Sequence, residues 1–448
     1  MPTSRLRYAS YHLHLVSLLA HRHSAKLTFR DQVALVQALD SALDLLESEP
    51  SFRALTILDG CGTLEDYLRL RPEHFERLEA VGRRGALQIN PFYVLPELSV
   101  HTPEGVIRNL LRGTASAKVF GGAMPVALCL KTRHLPDWLP QVLRGFGIQA
   151  ILADWYDEHP LEQNWQGDDG SQVLLTAVYP LMALEIAIEN VFHRMASCCQ
   201  SGHLLLFHLW SAQTAASWRM WLTRLKQQRP IDILLHSTPS AYLRAVQAAR
   251  NQDYVARQGN LALADLPSEA PDAFAQFERF LTQTVEPLIA FAALQASPRV
   301  PVQPQRLIAQ LWQPLFDWTG QPFSEDARQA LEAQLSALKT DLAFLAERNG
   351  ADLNLPQFER LVRSDDVRFA LTTCKLPDDP SRSGMIVRGR LSASESAWIT
   401  LTPFRRFAHC EVISMAEVPT GGNLTVEEDG AIIFRAEPQH LYTFWLHD

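Results

Sequence analysis

Through roughly the first 250 residues, short apolar runs alternate with longer amphipathic stretches, and this alternation constrains the fold more than any other feature. The runs cover residues 8–16, 54–58, 87–90, 126–130, 150–154, 204–209 and 231–236. Each is short, apolar and β-branched or Leu-rich, as strands buried on both faces of a parallel sheet are. The stretches between them carry helix signals. Thr28 and Asp31 cap a helix running to about Glu49, with Val33, Val36, Leu39, Leu43 and Leu46 on one face. Thr102-Pro103-Glu104 supplies a cap, a proline at the first helical position and an acid in the first turn. Gly147 after Phe146 reads as a helix stop. Repeated βα units predict a parallel sheet, open or closed into a barrel, with ligands at the carboxyl ends of its strands.

Two further patterns follow, so the chain is expected to be multidomain, α/β then α then β. Residues 263–355 read as a helical bundle: Phe274, Phe277, Phe280, Leu281 and Val285 mark one helix, and Leu331, Leu335, Leu338, Leu342 and Leu345 another, with Pro298, Pro301 and Pro304 between them. Residues 356–448 read as a small antiparallel β domain. Asp429-Gly430 there is a hairpin turn between runs at 424–427 and 431–435. That leaves 1–262 for a seven-stranded, barrel-like α/β domain.

Composition removes several classes of function. The net charge of −8, from 41 basic and 49 acidic side chains, argues against nucleic acid as a partner. The apolar run at 11–20 is short and broken by His12 and His14, so it reads as a buried strand rather than a signal sequence. No run approaches the roughly 20 apolar residues that span a bilayer. Six cysteines without any C-x-x-C spacing predict reduced thiols and a cytoplasmic protein.

Within the first domain, Leu87-Gln88-Ile89-Asn90-Pro91-Phe92-Tyr93-Val94 is followed by Glu104-Gly105-Val106-Ile107-Arg108-Asn109-Leu110-Leu111-Arg112-Gly113 and by Leu139-Pro140-Gln141-Val142-Leu143-Arg144-Gly145-Phe146-Gly147-Ile148. Ile57-Leu58-Asp59-Gly60 and Leu64-Glu65-Asp66-Tyr67-Leu68 precede them. In order and spacing these blocks resemble bacterial glycoside hydrolase family 38, the α-mannosidases. Ile386-Val387-Arg388-Gly389 and Glu437-Pro438 are similar to that family's last β domain. A long β-sandwich that the family carries before this domain has no counterpart here.

The resemblance implies a retaining mechanism with two carboxylates and one zinc ion held by about four ligands. Laid on the family's motifs, this chain keeps few of those groups. The H-x-H-x-D element of the first strand reads His12-Leu13-His14-Leu15-Val16, leaving His14 as a vestigial ligand and Val16 where the aspartate belongs. The nucleophile, also a zinc ligand, falls at Lys131; the acid/base falls at Ser211; the last zinc ligand falls at Phe316, beside a surviving Asp317. The expectation is a protein without zinc and without catalytic residues, binding a mannose-like glycan, a protein partner or a second copy of itself. The sugar-binding candidates are Phe92, Tyr93, Glu97, Asp154, Trp155 and Asp157, since aromatic and acidic side chains after strand ends suit sugar faces and hydroxyls. The alternative is a metal-independent hydrolase built on Asp154, Asp157, Glu158 or Glu97. The pairs His12/His14 and His21/His23 leave a different metal site open.

Overall fold

The structure, a computed structural model, describes residues 10–21, 27–130, 132, 134–154, 160–178, 188–249, 254–262, 272–295, 304–318, 325–348 and 357–448. The predicted parallel strands are present, in two sheets. In the first, His12–Leu19 is central and pairs in parallel with His203–Leu209, with Ile233–His236 and with Leu55–Ile57, which in turn pairs with Leu87–Ile89. In the second, Val126–Cys129, Ala150–Asp154 and Gln172–Val178 run parallel, extended by antiparallel Glu162–Gln166 and then by Val255–Gln258. A parallel bridge between Ile89 and Ala123 links the sheets. Sequence reading missed the hairpin Glu162–Gln166/Gln172–Val178, although Asp168-Asp169-Gly170 signals its turn, with Gly170 at φ +86°. The parallel strands therefore exceed the seven expected.

The helix signals are realised with small shifts. Thr28 caps Phe29–Ser48 by accepting the Asp31 N–H, and Thr102 caps Pro103–Ala117 by accepting the Gly105 N–H. The buried stripe of the first helix is Leu35, Ala38, Leu39, Ala42 and Leu43; Val33, expected on it, is exposed, because the packed face is rotated away from that side. Gly147 adopts φ +73° while the Ile148 N–H reaches back to the Leu143 carbonyl, a glycine-terminated helix end.

Asp272–Phe280 continues through a π-helical turn, Leu281–Val285, into Glu286–Gln295. Helices Pro304–Trp318 and Glu325–Arg348 follow. Phe274, Phe277, Leu281, Val285, Trp312 and Phe316 share one apolar cluster with Leu64, Tyr67 and Tyr93 of the α/β part, so these helices complete its core rather than standing apart. The C-terminal strands form two antiparallel sheets, Val362–Ser364/Ala397–Pro403/Ile432–Ala436 and a five-stranded one ordered Phe369–Lys375, Met385–Leu391, Leu441–His447, His409–Ile413, Pro419–Leu424. The Asp429-Gly430 turn is present, but across it the expected run pairs only by the Val426–Ile432 bridge, while Leu424 ends a strand that pairs with Cys410. All six cysteines are unpaired thiols, and among the described residues no helix is long and apolar enough to cross a membrane.

Candidate functional site

The sequence blocks that carried the resemblance turn out to hold the strand ends in place. Asn90, just past Leu87–Ile89, donates through Nδ2 to the carbonyls of Leu58 (2.7 Å) and Leu128 (3.0 Å) and accepts the Leu128 N–H (3.0 Å), joining the two sheets with one buried amide. Asn109 accepts the N–H of Tyr93 (2.7 Å) and of Val94 (3.3 Å) and returns a bond to the Val94 carbonyl (2.9 Å). Gly113 and Gly60 admit the same loop: a Cβ would lie 2.2 Å from the Pro91 oxygen at the first and 1.7 Å from the Phe92 oxygen at the second, where φ is +59°. Asp59, mostly buried, accepts the Leu95 N–H at 2.7 Å.

A second motif-built feature lies under the C-terminal sheet. Glu104 and Arg108 of Pro103–Ala117 meet Glu286, Arg388, Glu417, Lys375 and Asp378 in a buried ionic network, in which Arg108 reaches Asp378 at 3.1 Å and Lys375 reaches Glu417 at 2.6 Å. Glu286 also accepts the Trp312 indole N–H at 2.7 Å. The blocks containing Arg108 and Arg388 thus meet in one buried ionic network.

Of the predicted sugar-binding residues, the structure describes Phe92, Tyr93, Glu97 and Asp154. Phe92 and Tyr93 are 0% and 1% exposed, so neither can stack on a sugar; their place after a strand end is a packing place. The Tyr93 hydroxyl donates to Glu65 (2.7 Å) and accepts from Arg112 (2.9 Å), whose guanidinium lies 3.9 Å over the ring, while Phe316 packs edge-on at 5.4 Å. Burial pushes that phenol well above its usual range. Phe316 is thus a core residue on Pro304–Trp318, and Asp317 accepts a bond from Gln313 at 2.7 Å. Glu97 accepts the Ser99 hydroxyl at 2.9 Å in a local turn. Asp154, buried, ends the strand Ala150–Asp154 at its carboxyl end. Ser211 lies past the carboxyl end of His203–Leu209, but its hydroxyl caps the helix Ala212–Gln228 in a capping box with Thr214. Lys131, Trp155, Asp157, Glu158 and His23 lie outside the described residues.

His14 requires a correction. The strand begins at His12 and ends at Leu19, so His14 sits near its amino end, and the residues at the carboxyl end are Leu18, Leu19, Ala20 and His21. Its Nδ1 is 2.9 Å from the Ser237 hydroxyl and its Nε2 is 3.0 Å from Nδ1 of His203, which stacks on His12 at 4.7 Å. Burial, then His203 and His12, holds its pKa down at about 4. Val16 lies in an apolar cluster with Leu128, Leu152 and Leu205. Among the described residues no three His, Cys, Asp or Glu side chains are placed to hold a metal ion.

His14 lines a cleft of about 610 Å³ between the carboxyl end of Ile233–His236 and the amino ends of Leu55–Ile57, Leu87–Ile89 and Val126–Cys129. Arg53, His236, Ser237, Thr238 and Arg244 share its walls. Sequence reasoning missed this cleft because its residues come from segments far apart in the chain, and Arg53, His236 and Arg244 belong to no motif.

Two solved structures from Enterococcus faecalis match nearly the whole chain. An α-mannosidase superposes with a TM-score of 0.61 over 98% of this chain and 55% of its own length, at 17% identity. A protein of glycosyl hydrolase family 38 gives 0.56 over the same shares, at 16% identity. This chain has the fold of the family 38 α-mannosidases. A Halalkalibacterium halodurans protein provisionally named a mannosylglycerate hydrolase is 30% identical over 156 residues, 31% of this chain and 17% of its own length. The chain thus spans about half the length of the structures it matches and a smaller part of that relative. No family model matches it.

Proposed function

We propose that this chain is an α-mannosidase-like protein that binds a mannose-containing carbohydrate without hydrolysing it and without zinc. The observation that carries this reading is the use made of the polar groups at the strand ends. Asn90 and Asp59 are committed to backbone amides and carbonyls, and Ser211 to a helix cap. Retaining hydrolysis needs two carboxyl groups about 5 Å apart across an open cleft, free to reach the glycosidic bond. In this reading the sugar lies beyond Asp154, with Trp155 and Asp157 as its aromatic face and second acceptor. Residues 1–262 form the binding domain, 263–355 the bundle that buttresses it and 356–448 the β domain locked on by the ionic network.

The test is calorimetric titration of the full chain with α-linked mannobiose, alongside an assay for mannose release with and without added zinc. The expected result is saturable binding, lost in Asp154→Ala, with no mannose released. Zinc-dependent release of mannose would overturn the reading in favour of a hydrolase.

A further inference from the structure

The amino-end cleft has a composition that the mannosidase likeness does not account for. Not one of its lining residues is Asp or Glu, in a chain with 49 acidic side chains. It holds two arginines, Arg53 and Arg244, and among the described residues neither guanidinium makes a hydrogen bond or an ion pair. Some other surface arginines take carboxylate partners, as Arg77 takes Asp44 and Glu47 and Arg405 takes Asp448; what sets this cleft apart is two guanidiniums on walls without a carboxylate. Two unpaired guanidiniums in one concavity, with no counter-charge on its walls, make a locally positive site in a net negative protein.

We propose that this cleft binds a small molecule bearing a phosphate group, held by Arg53 and Arg244. A guanidinium presents its N–H donors as a planar fork matched to phosphate oxygens. The Thr238 hydroxyl, whose oxygen already caps the Ala241 N–H at 3.0 Å, keeps its proton to donate. Leu87, Met124 and Pro125 give the remaining wall an apolar surface, and at Gly85 and Gly122 a Cβ would meet nothing within 4 Å. The volume, about 610 Å³, admits a phosphorylated sugar or a molecule of similar size rather than a bare ion alone.

The experiment titrates the full chain with glucose 6-phosphate, inorganic phosphate and glucose at constant ionic strength, read by calorimetry. Saturable binding of glucose 6-phosphate, weaker binding of inorganic phosphate and silence with glucose are expected. If inorganic phosphate binds as tightly as glucose 6-phosphate, the phosphate site stands and the ligand is the free ion. The double variant Arg53→Ala/Arg244→Ala should lose about tenfold or more in affinity. Both side chains are exposed, so its melting temperature without ligand should stay near the parent's. A second variant, Ala241→Glu, places a carboxylate on the wall and should abolish binding in a folded protein. No saturable binding of either phosphate, or undiminished binding in both variants, overturns the proposal. Mannobiose binding at the other end of the strands is a separate readout, unaffected by either result.

Discussion

Lowering the pH from 7.5 to 4 should destabilise this protein through imidazoles that the fold keeps neutral. His14 and His208 are held at about 4 and His236 at about 3, in each case chiefly by burial. His236 shows the mechanism in its hydrogen bonds. Its Nδ1 accepts the Arg53 N–H at 2.7 Å, so the ring proton sits on Nε2, which faces the Ser17 hydroxyl at 3.1 Å. A second proton on Nδ1 would break the Arg53 bond and place a charge against Phe52 and Trp218. In the unfolded chain these groups titrate near 6.5. Because the folded values lie below that, their contribution is complete above about pH 6.5 and is lost as pH falls towards the folded values. By pH 4 the loss is about 3 kcal/mol for each of the three, a sum comparable with the whole stability of many domains, about 5–15 kcal/mol. Urea unfolding followed by tryptophan fluorescence between pH 7.5 and 4 reads this directly, with Trp210 and Trp218 close to the rings. His236→Asn, whose side-chain oxygen can accept the same N–H without titrating, should recover about 3 kcal/mol of the drop. Stability that stays flat from pH 7 to 4.5, or an identical drop in His236→Asn, would refute the reasoning.

Three other outcomes follow from the packing. Asn90→Ala removes three buried hydrogen bonds and strands the Leu128 N–H and the Leu58 carbonyl, so a loss of about 3 kcal/mol is expected in denaturant titration. Gly60→Ala combines an unfavourable φ with a collision against the Phe92 carbonyl, and soluble yield should fall sharply, whereas Gly85→Ala, with open space at its Cβ, should fold with only the cost of its positive φ. Arg388→Met removes the cation shared by Glu104 and Glu417, which keep Arg108 and Lys375 as partners, and should cost about 2–3 kcal/mol in an unfolding titration; Glu104→Gln in the same background should restore part of it.

The parallel strands and helix caps were legible because they are written in local periodicity and cap chemistry, as at Thr28, Thr102 and Gly147. The recognisable blocks were legible as a fold signature because Asn90, Asn109, Gly60 and Gly113 each meet a backbone demand that no other side chain meets as well. The site was harder to read. His14 was named a vestigial ligand by laying a family motif on residues 12–16, and a motif match does not say where along a strand the pair falls. Phe92 and Tyr93 follow a strand end as binding aromatics do, yet which way a loop turns depends on Asn109 and Arg112, which act from a distant helix. The amino-end cleft was invisible for the same reason: Arg53, His236 and Arg244 meet only through the pairing of His12–Leu19 with two strands from opposite ends of the domain.

We propose that this fold stands without the zinc that the family resemblance implies. Elemental analysis of the purified, unchelated full chain tests it most directly. Zinc far below one atom per chain is the predicted result; near-stoichiometric zinc that persists through dialysis would contradict the account and return the strand ends to hydrolysis.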